Sequence, residues 1–163
     1  MQLSALLPKH WPAVKEIYEQ GIETGIATLE TKAPEWEAWD KAHLVHSRFI
    51  AEDQKEILGW AALSAVSGRC VYAGVAEVSI YIAAKARGKG IGKILLEKLI
   101  SESEKQNLWT LQAGIFKENI ASIALHEKCG FRTIGYREKI GKLKNEWKDV
   151  ALLERRSKLV GND

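Results

Sequence analysis

The chain has 163 residues, of which 46% are apolar and 28% are charged, values typical of a globular protein that buries one core. The net charge is only +3 and acidic and basic residues are interleaved, so we expect no nucleic-acid partner. No stretch reaches the roughly 20 apolar residues of a membrane helix, and the N-terminus lacks a basic start, so we expect a cytoplasmic protein without a membrane partner. Two cysteines cannot build a disulfide framework or a four-ligand zinc site, and we expect no metal.

The predicted elements follow one another without a linker, which favours a single domain over residues 1–163. A short strand over 2–7 precedes a helix whose apolar residues are spaced by three and four, and a second helix is predicted over 34–46. Further strands are predicted over 48–52, 57–64, 75–82, 109–116, 132–140 and 147–153, and further helices end near residues 106 and 128. This order predicts an α/β fold in which helices cover both faces of a mixed sheet.

A glycine-rich loop, Ala86-Arg-Gly-Lys-Gly-Ile-Gly-Lys93, lies between the β-branched strand 75–82 and the next helix. Glycines allow successive backbone amides to face one point, and the helix N-terminus adds about half a positive charge. Arg87, Lys89 and Lys93 supply mobile positive charge. The loop is therefore predicted to hold a phosphate or pyrophosphate, although a plain helix cap is the alternative.

Three kinds of phosphate loop can be compared with this string. A Walker loop needs four residues before its Gly-Lys pair and a hydroxyl residue after it, whereas three residues separate Gly88 from Gly92 and Ile94 follows Lys93. The dinucleotide fingerprint G-x-G-x-x-G does not match the glycines either. The pattern Arg-x-x-Gly-x-Gly from Arg87 to Gly92 resembles the pyrophosphate loop of the GNAT acetyltransferases.

A second stretch also resembles this family. Asn119, Ser122, His126 and the pair Gly130-Phe131 follow the family pattern Asn-x-x-Ala/Ser-x-x-x-Tyr/His-x-x-x-Gly-Phe. Two such signatures about thirty residues apart are more specific than either alone. The resemblance implies the GNAT fold, a mixed and mostly antiparallel sheet flanked by helices on both faces. It also implies an N-acetyltransferase that uses acetyl-CoA as co-substrate.

Three other segments resemble the phosphinothricin and methionine sulfoximine acetyltransferase branch: residues 17–31, residues 69–82 and Trp147-Lys-Asp-Val150. The chain departs from many branch members at Ala73, where they carry arginine, and at Leu29, where an aromatic residue is frequent. The resemblance implies a small amino-acid-like amine as substrate, and a homodimer. Another amine, such as a peptide N-terminus or a polyamine, and a non-catalytic CoA-binding module are the alternatives.

The resemblance also implies roles for individual residues. Glu77 matches the general base and His126 the acid that protonates the leaving thiolate. Glu77 interrupts an apolar strand, so partial burial would raise its pKa, unless it points to solvent or forms a salt bridge. Residues that match CoA contacts are Ile80, Tyr81, Ile82, Arg87, Gly88, Lys89, Gly90, Ile91, Gly92, Lys93, Asn119 and Ser122. The candidates for binding the amine substrate are Arg69, Tyr72 and Glu30.

Overall fold

Seven strands form one mixed sheet in the computed structural model, which describes residues 1–163. The strands in chain order are β1 (Gln2–Ala5), β2 (Arg48–Asp53), β3 (Glu56–Ala65), β4 (Val75–Ile82), β5 (Thr110–Phe116), β6 (Arg132–Leu143) and β7 (Glu146–Arg156). The helices are α1 (Trp11–Glu23), α2 (Trp36–Ala42), α3 (Ile91–Lys105) and α4 (Ile120–Lys128). None of these helices has the length and apolar character that crossing a membrane requires.

The strand order across the sheet is β1-β2-β3-β4-β5-β7-β6, and only β4 and β5 run parallel to each other. The mixed, mostly antiparallel sheet expected from the sequence is therefore confirmed. The predicted helix over 34–46 is wrong in length, because it covers only Trp36–Ala42. The buried side chain of Arg48 donates from Nη2 to the carbonyls of Asp40 (2.9 Å) and His43 (2.8 Å), which satisfies the helix end at this point.

The helices cover opposite faces of the sheet. A Cβ added to Gly21 of α1 would lie 2.5 Å from the Tyr81 ring, whereas one added to Gly59 would lie 2.7 Å from Ile82 and 3.2 Å from Leu95 of α3. Successive side chains of a strand point to opposite faces, so α1 and α3 pack on different sides of β4. Aromatic rings fill the α1 side, where Tyr81 stacks on Trp60 with ring centres 4.9 Å apart.

A gap opens between β4 and β5 in the middle of the sheet. The two strands pair only through Val75, Ala76 and Glu77 of β4, opposite residues 110–112 of β5. Beyond this point β4 continues to Ile82 and β5 to Phe116 without pairing to each other. The gap therefore divides the sheet into a β1–β4 half and a half formed by β5, β7 and β6.

Candidate active site

Glu77 lies at the inner end of this gap, in the last residue pair that joins β4 to β5. Its partner in that pair is Gln112, whose Nε2 donates a hydrogen bond of 2.9 Å to Glu77 Oε2. The second carboxylate oxygen has no hydrogen-bond partner, and Glu77 forms no salt bridge. The partial burial expected from the sequence is wrong, because the side chain lies at the open gap and is exposed to solvent. Glu77 thus presents one oriented carboxylate with one free oxygen.

The edge of β4 supplies backbone amides along the gap. The Ala83 amide donates to the Leu58 carbonyl of β3 at 2.9 Å, and amide directions alternate along a strand. The amides of Ile80 and Ile82 therefore point away from β3 and into the gap, whereas that of Tyr81 points to β3.

Burial is the main cause that raises the pKa of the Tyr81 phenol, and the neighbouring Tyr18 adds to it.

The glycine-rich loop follows β4 at the outer end of the gap. No backbone amide from Gly88 to Lys93 donates to a protein acceptor. Gly88 and Gly90 have φ values of +74° and +80°, and a Cβ added to either would meet nothing within 4 Å. The side chain of Ile91 is buried, so this residue offers only its amide. These free amides at the start of α3 fit the pyrophosphate of a nucleotide.

The cations of this loop differ in how they are held. Arg87 folds back, and its guanidinium lies 3.3 Å from the Ile82 carbonyl and 3.4 Å from that of Gln20. Lys93 and Glu97 form an exposed pair at 3.7 Å, which contributes little because both groups are solvated. Lys89 is exposed. The structure thus leaves positive charge available around the free amides.

Asn119 and Ser122 lie at the start of α4. The Asn119 Oδ1 accepts a hydrogen bond of 3.2 Å from the Ser122 amide, so its side chain caps the helix. The Asn119 Nδ2 donates to the carbonyl of Ile26 at 3.2 Å, in the loop between α1 and α2. Both polar groups of the Asn119 side chain therefore have protein partners.

His126 is buried, with 2% of its surface exposed. Its Nδ1 lies 2.8 Å from the Ser122 carbonyl, which can only accept, so the ring proton is on Nδ1. Its Nε2 has no partner, and burial lowers the pKa of the imidazole. A neutral ring with a bare Nε2 has no free proton to donate, so this geometry favours a structural role over the expected acid.

The expected substrate residues lie on two surface segments. The Arg69 guanidinium carbon is 5.4 Å from the centre of the Tyr72 ring, at the exposed turn Cys70–Tyr72 that leads into β4. Glu30 is exposed in the loop between α1 and α2. The pKa of the Tyr18 phenol is raised, first because Tyr18 itself is partly buried and second because the negative charge of Glu30 lies nearby. No group of three or more His, Cys, Asp or Glu side chains could hold a metal ion.

The sequence did not identify Gln112 as a site residue. The available signal was one polar side chain within the apolar run Leu111–Phe116. Its pairing with Glu77, which lies 35 positions earlier, depends on the register between β4 and β5.

Comparison with known proteins agrees with this geometry. The Acetyltransferase (GNAT) family model matches residues 11–131. The chain is 36% identical to phosphinothricin N-acetyltransferase of Streptomyces coelicolor over 63% of its own length. This match spans 60% of the Streptomyces protein, which is less than two thirds of its length. It is 32% identical to the Alcaligenes faecalis phosphinothricin N-acetyltransferase over 88% of this chain and 76% of that protein. Identity to the L-methionine sulfoximine/L-methionine sulfone acetyltransferase of Pseudomonas aeruginosa is 31%, over 72% and 70% of the two chains.

Solved structures show the same fold. The Sinorhizobium meliloti phosphinothricin acetyltransferase in complex with acetyl-CoA superposes with a TM-score of 0.86 at 27% identity, over 99% of this chain and 96% of that one. The ribosomal-protein-alanine N-acetyltransferase of Brucella melitensis superposes with a TM-score of 0.88 at 26% identity, over 96% of this chain and 100% of that one. The chain therefore belongs to the GNAT acetyltransferase family and is an acetyl-CoA-dependent acetyltransferase.

Proposed function

We propose that this enzyme transfers the acetyl group of acetyl-CoA to the amine of a small, anionic amino acid within a ternary complex. The observation that carries the proposal is Glu77, an oriented carboxylate with one free oxygen at the inner end of a gap lined by backbone amides. The names of the relatives support the substrate class, which comprises phosphinothricin, methionine sulfoximine and methionine sulfone.

The free amides from Gly88 to Lys93 would hold the pyrophosphate of acetyl-CoA, and Arg87, Lys89 and Lys93 would balance its charge. From there the pantetheine arm would extend along the gap toward Glu77. The amides of Ile80 and Ile82 face this path. An amide that donates to the thioester oxygen would stabilise the charge that develops there by about 3 kcal/mol.

An amine can attack a thioester only as the free base. Glu77 accepts the proton of the substrate ammonium group, directly or through a water molecule. The nitrogen then forms a bond to the acetyl carbon and releases a second proton to solvent as the carbon–sulfur bond breaks, and the CoA thiolate leaves. Because the ring proton of His126 is bound to the Ser122 carbonyl, we assign the proton that neutralises the thiolate to the solvent.

Arg69 is the candidate for binding the acidic group of the substrate. Its guanidinium forms no salt bridge with a carboxylate of the chain and lies beside Tyr72 on the exposed turn before β4. A planar guanidinium can bind a carboxylate or a phosphinate through two parallel hydrogen bonds. Ala73 and Leu29 stand where branch members carry larger groups, so the pocket is expected to accept a different range of side chains.

The test is a panel of amines assayed for CoA release at a fixed acetyl-CoA concentration. It contains phosphinothricin, methionine sulfoximine, methionine sulfone, a peptide with N-terminal alanine and spermidine. We expect the highest kcat/KM for one of the first three compounds. A preference for the peptide would favour the activity named for the Brucella relative. Binding of acetyl-CoA without release of CoA for any amine would indicate a non-catalytic CoA-binding protein.

Two other predictions come from the sequence. The branch resemblance predicts a homodimer, which light scattering after size exclusion would detect as twice the 18.2 kDa chain mass. The cytoplasmic location is a prediction that cell fractionation would test.

A further inference from the structure

The loop of residues 24–35, here called the strap, connects α1 to α2 and touches both halves of the divided sheet. On the β4 side, the Thr24 hydroxyl donates to the Gly21 carbonyl of α1, and Gly21 lies against the Tyr81 ring of β4. On the other side, the Ile26 carbonyl accepts the hydrogen bond from Asn119 of the α4 cap. The β4–β5 ladder has only three residue pairs, so the strap adds a connection between the halves, as does the ion pair of Arg155 in β7 with Glu104 in α3.

The strap is held internally by its threonine hydroxyls. Thr24 Oγ1 donates to the Gly21 carbonyl at 2.6 Å and anchors the strap to the end of α1. Thr28 Oγ1 accepts from the Glu30 amide at 3.1 Å. A displacement of Ile26 would therefore be transmitted along the strap to Glu30, the residue of this segment that we expect near the amine substrate.

The Asn119 side chain does more than a helix cap requires. Serine, threonine or aspartate would cap α4 equally well, because a cap needs only an acceptor oxygen. The Nδ2 group is used for the strap alone, and Asn119 is half-buried, so little water competes for this bond. An asparagine at this position thus serves two elements at once.

We propose that Asn119 is a positioning residue that latches the strap across the gap and so holds the amine site in its working geometry. This inference rests on the proposed function for the identity of the amine. It assigns to the Asn119 side chain a protein partner in place of the CoA contact expected from the sequence.

The matched variant is Asn119→Asp, which keeps the cap oxygen and removes the donor to the Ile26 carbonyl. We expect KM for the preferred amine to rise about tenfold, the effect of one lost hydrogen bond, while the Kd for acetyl-CoA changes less than twofold. The melting temperature should stay near the wild-type value because the cap remains. A weaker acetyl-CoA Kd with an unchanged amine KM would make Asn119 a CoA ligand and overturn the proposal.

A second pair of variants displaces the strap without touching Asn119. A Cβ on Gly141 of β6 would lie 2.8 Å from Leu29 of the strap, whereas one on Gly135 of the same strand meets nothing within 4 Å. Gly141→Val should therefore raise the amine KM, and Gly135→Val should leave it unchanged. Equal KM values for these two variants would contradict a role of the strap in amine binding.

Hydrogen exchange separates this inference from the proposed substrate. The amides of residues 24–31 should exchange faster in Asn119→Asp than in the wild type, while those of α4 keep their protection. If Asn119→Asp shows faster exchange but the wild-type enzyme acetylates none of the small amino acids, the role of Asn119 in holding the strap is supported and the proposed substrate class is refuted. Unchanged exchange over residues 24–31 would refute the latch.

Discussion

The carboxylate of Glu77 provides the sharpest test at the residue scale. Glu77→Gln keeps the side-chain shape and an acceptor for Gln112 but cannot take the proton of the amine. We expect kcat to fall by about 10² to 10⁴-fold with an unchanged acetyl-CoA Kd. The loss should shrink as pH rises, because more substrate then arrives deprotonated. Glu37→Gln, which changes an exposed carboxylate of α2 without a salt bridge, serves as the control.

A near-normal kcat for Glu77→Gln at neutral pH would assign the proton to another group. A loss of equal size at every pH would show that Glu77 only orders the end of the β4–β5 pairing. The pH series therefore distinguishes a base from a structural carboxylate.

Arg69 decides the charge preference of the substrate site. Because its guanidinium is exposed and free of acidic partners, Arg69→Ala should leave the fold unchanged. We expect KM for an anionic amino acid to rise roughly 10- to 100-fold, the range for a lost charged hydrogen bond, with little change for a neutral amine. Steady-state kinetics with phosphinothricin and with a neutral amine would measure the two KM values. Equal changes for both amines would remove Arg69 from the site.

His126 is expected to affect stability as a function of pH. Burial lowers its pKa in the folded protein, so the unfolded chain binds a proton that the folded chain does not as pH falls through the usual range near 6.5. The contribution of His126 to the free energy of unfolding is therefore present above pH 6.5 and is lost as the pH falls below this value. His43 is half-buried, and burial is also the main cause that lowers its pKa, so it adds to this trend.

Thermal unfolding between pH 8 and pH 5 should therefore show a melting temperature that decreases toward low pH. His126→Gln should be less stable at pH 8, because the ring packing on Phe131 is lost, but should depend less on pH. Its kcat should stay within a few-fold of the wild type if the histidine is structural. A fall of a hundredfold or more would restore the acid role.

The glycine-rich loop is the element on which acetyl-CoA binding depends. Gly90 adopts φ +80° before α3, a conformation that costs a side-chain-bearing residue about 1–2 kcal/mol. Gly90→Val should change the directions of the neighbouring amides and weaken acetyl-CoA binding about tenfold or more, measured by calorimetry. Gly135→Val is the control, since it adds the same side chain to an open position without a left-handed backbone. Wild-type affinity for Gly90→Val would show that the loop is only a helix cap.

At the scale of the whole molecule, the two halves of the sheet share three residue pairs, and acetyl-CoA bound in the gap should contact both halves and stabilise the native state. A ligand at a hundredfold excess over its Kd stabilises the native state by about 2.7 kcal/mol. For a chain of this length the melting temperature should rise by roughly 5–10 °C. ATP and NAD at the same concentration should have no such effect. Equal stabilisation by ATP would contradict the specificity of the gap for acetyl-CoA.

The sequence alone determined the local elements that carry the cofactor chemistry. Strand β4 was predicted with its observed bounds because seven of its eight residues are β-branched, aromatic or small, which favours a strand over a helix. The polar residues between β2 and β3 favour a hairpin, and Gln54 and Lys55 at its tip have the positive φ values of a tight turn. The glycine loop and the asparagine cap are also local signals, since each depends on residues within one turn of a helix.

The tertiary structure decided every feature that joins residues far apart in the chain. The register of β4 against β5 brings Gln112 to Glu77, ends their pairing at that point and leaves Glu77 exposed. The packing of α4 buries His126 and directs Asn119 to the strap, 93 positions away. Composition, spacing and glycine patterns report the conformation of neighbouring residues, whereas burial and strand register depend on how the whole chain folds. For that reason the family and its phosphate loop could be predicted from the sequence, but the geometry of the base, the histidine and the latch could not.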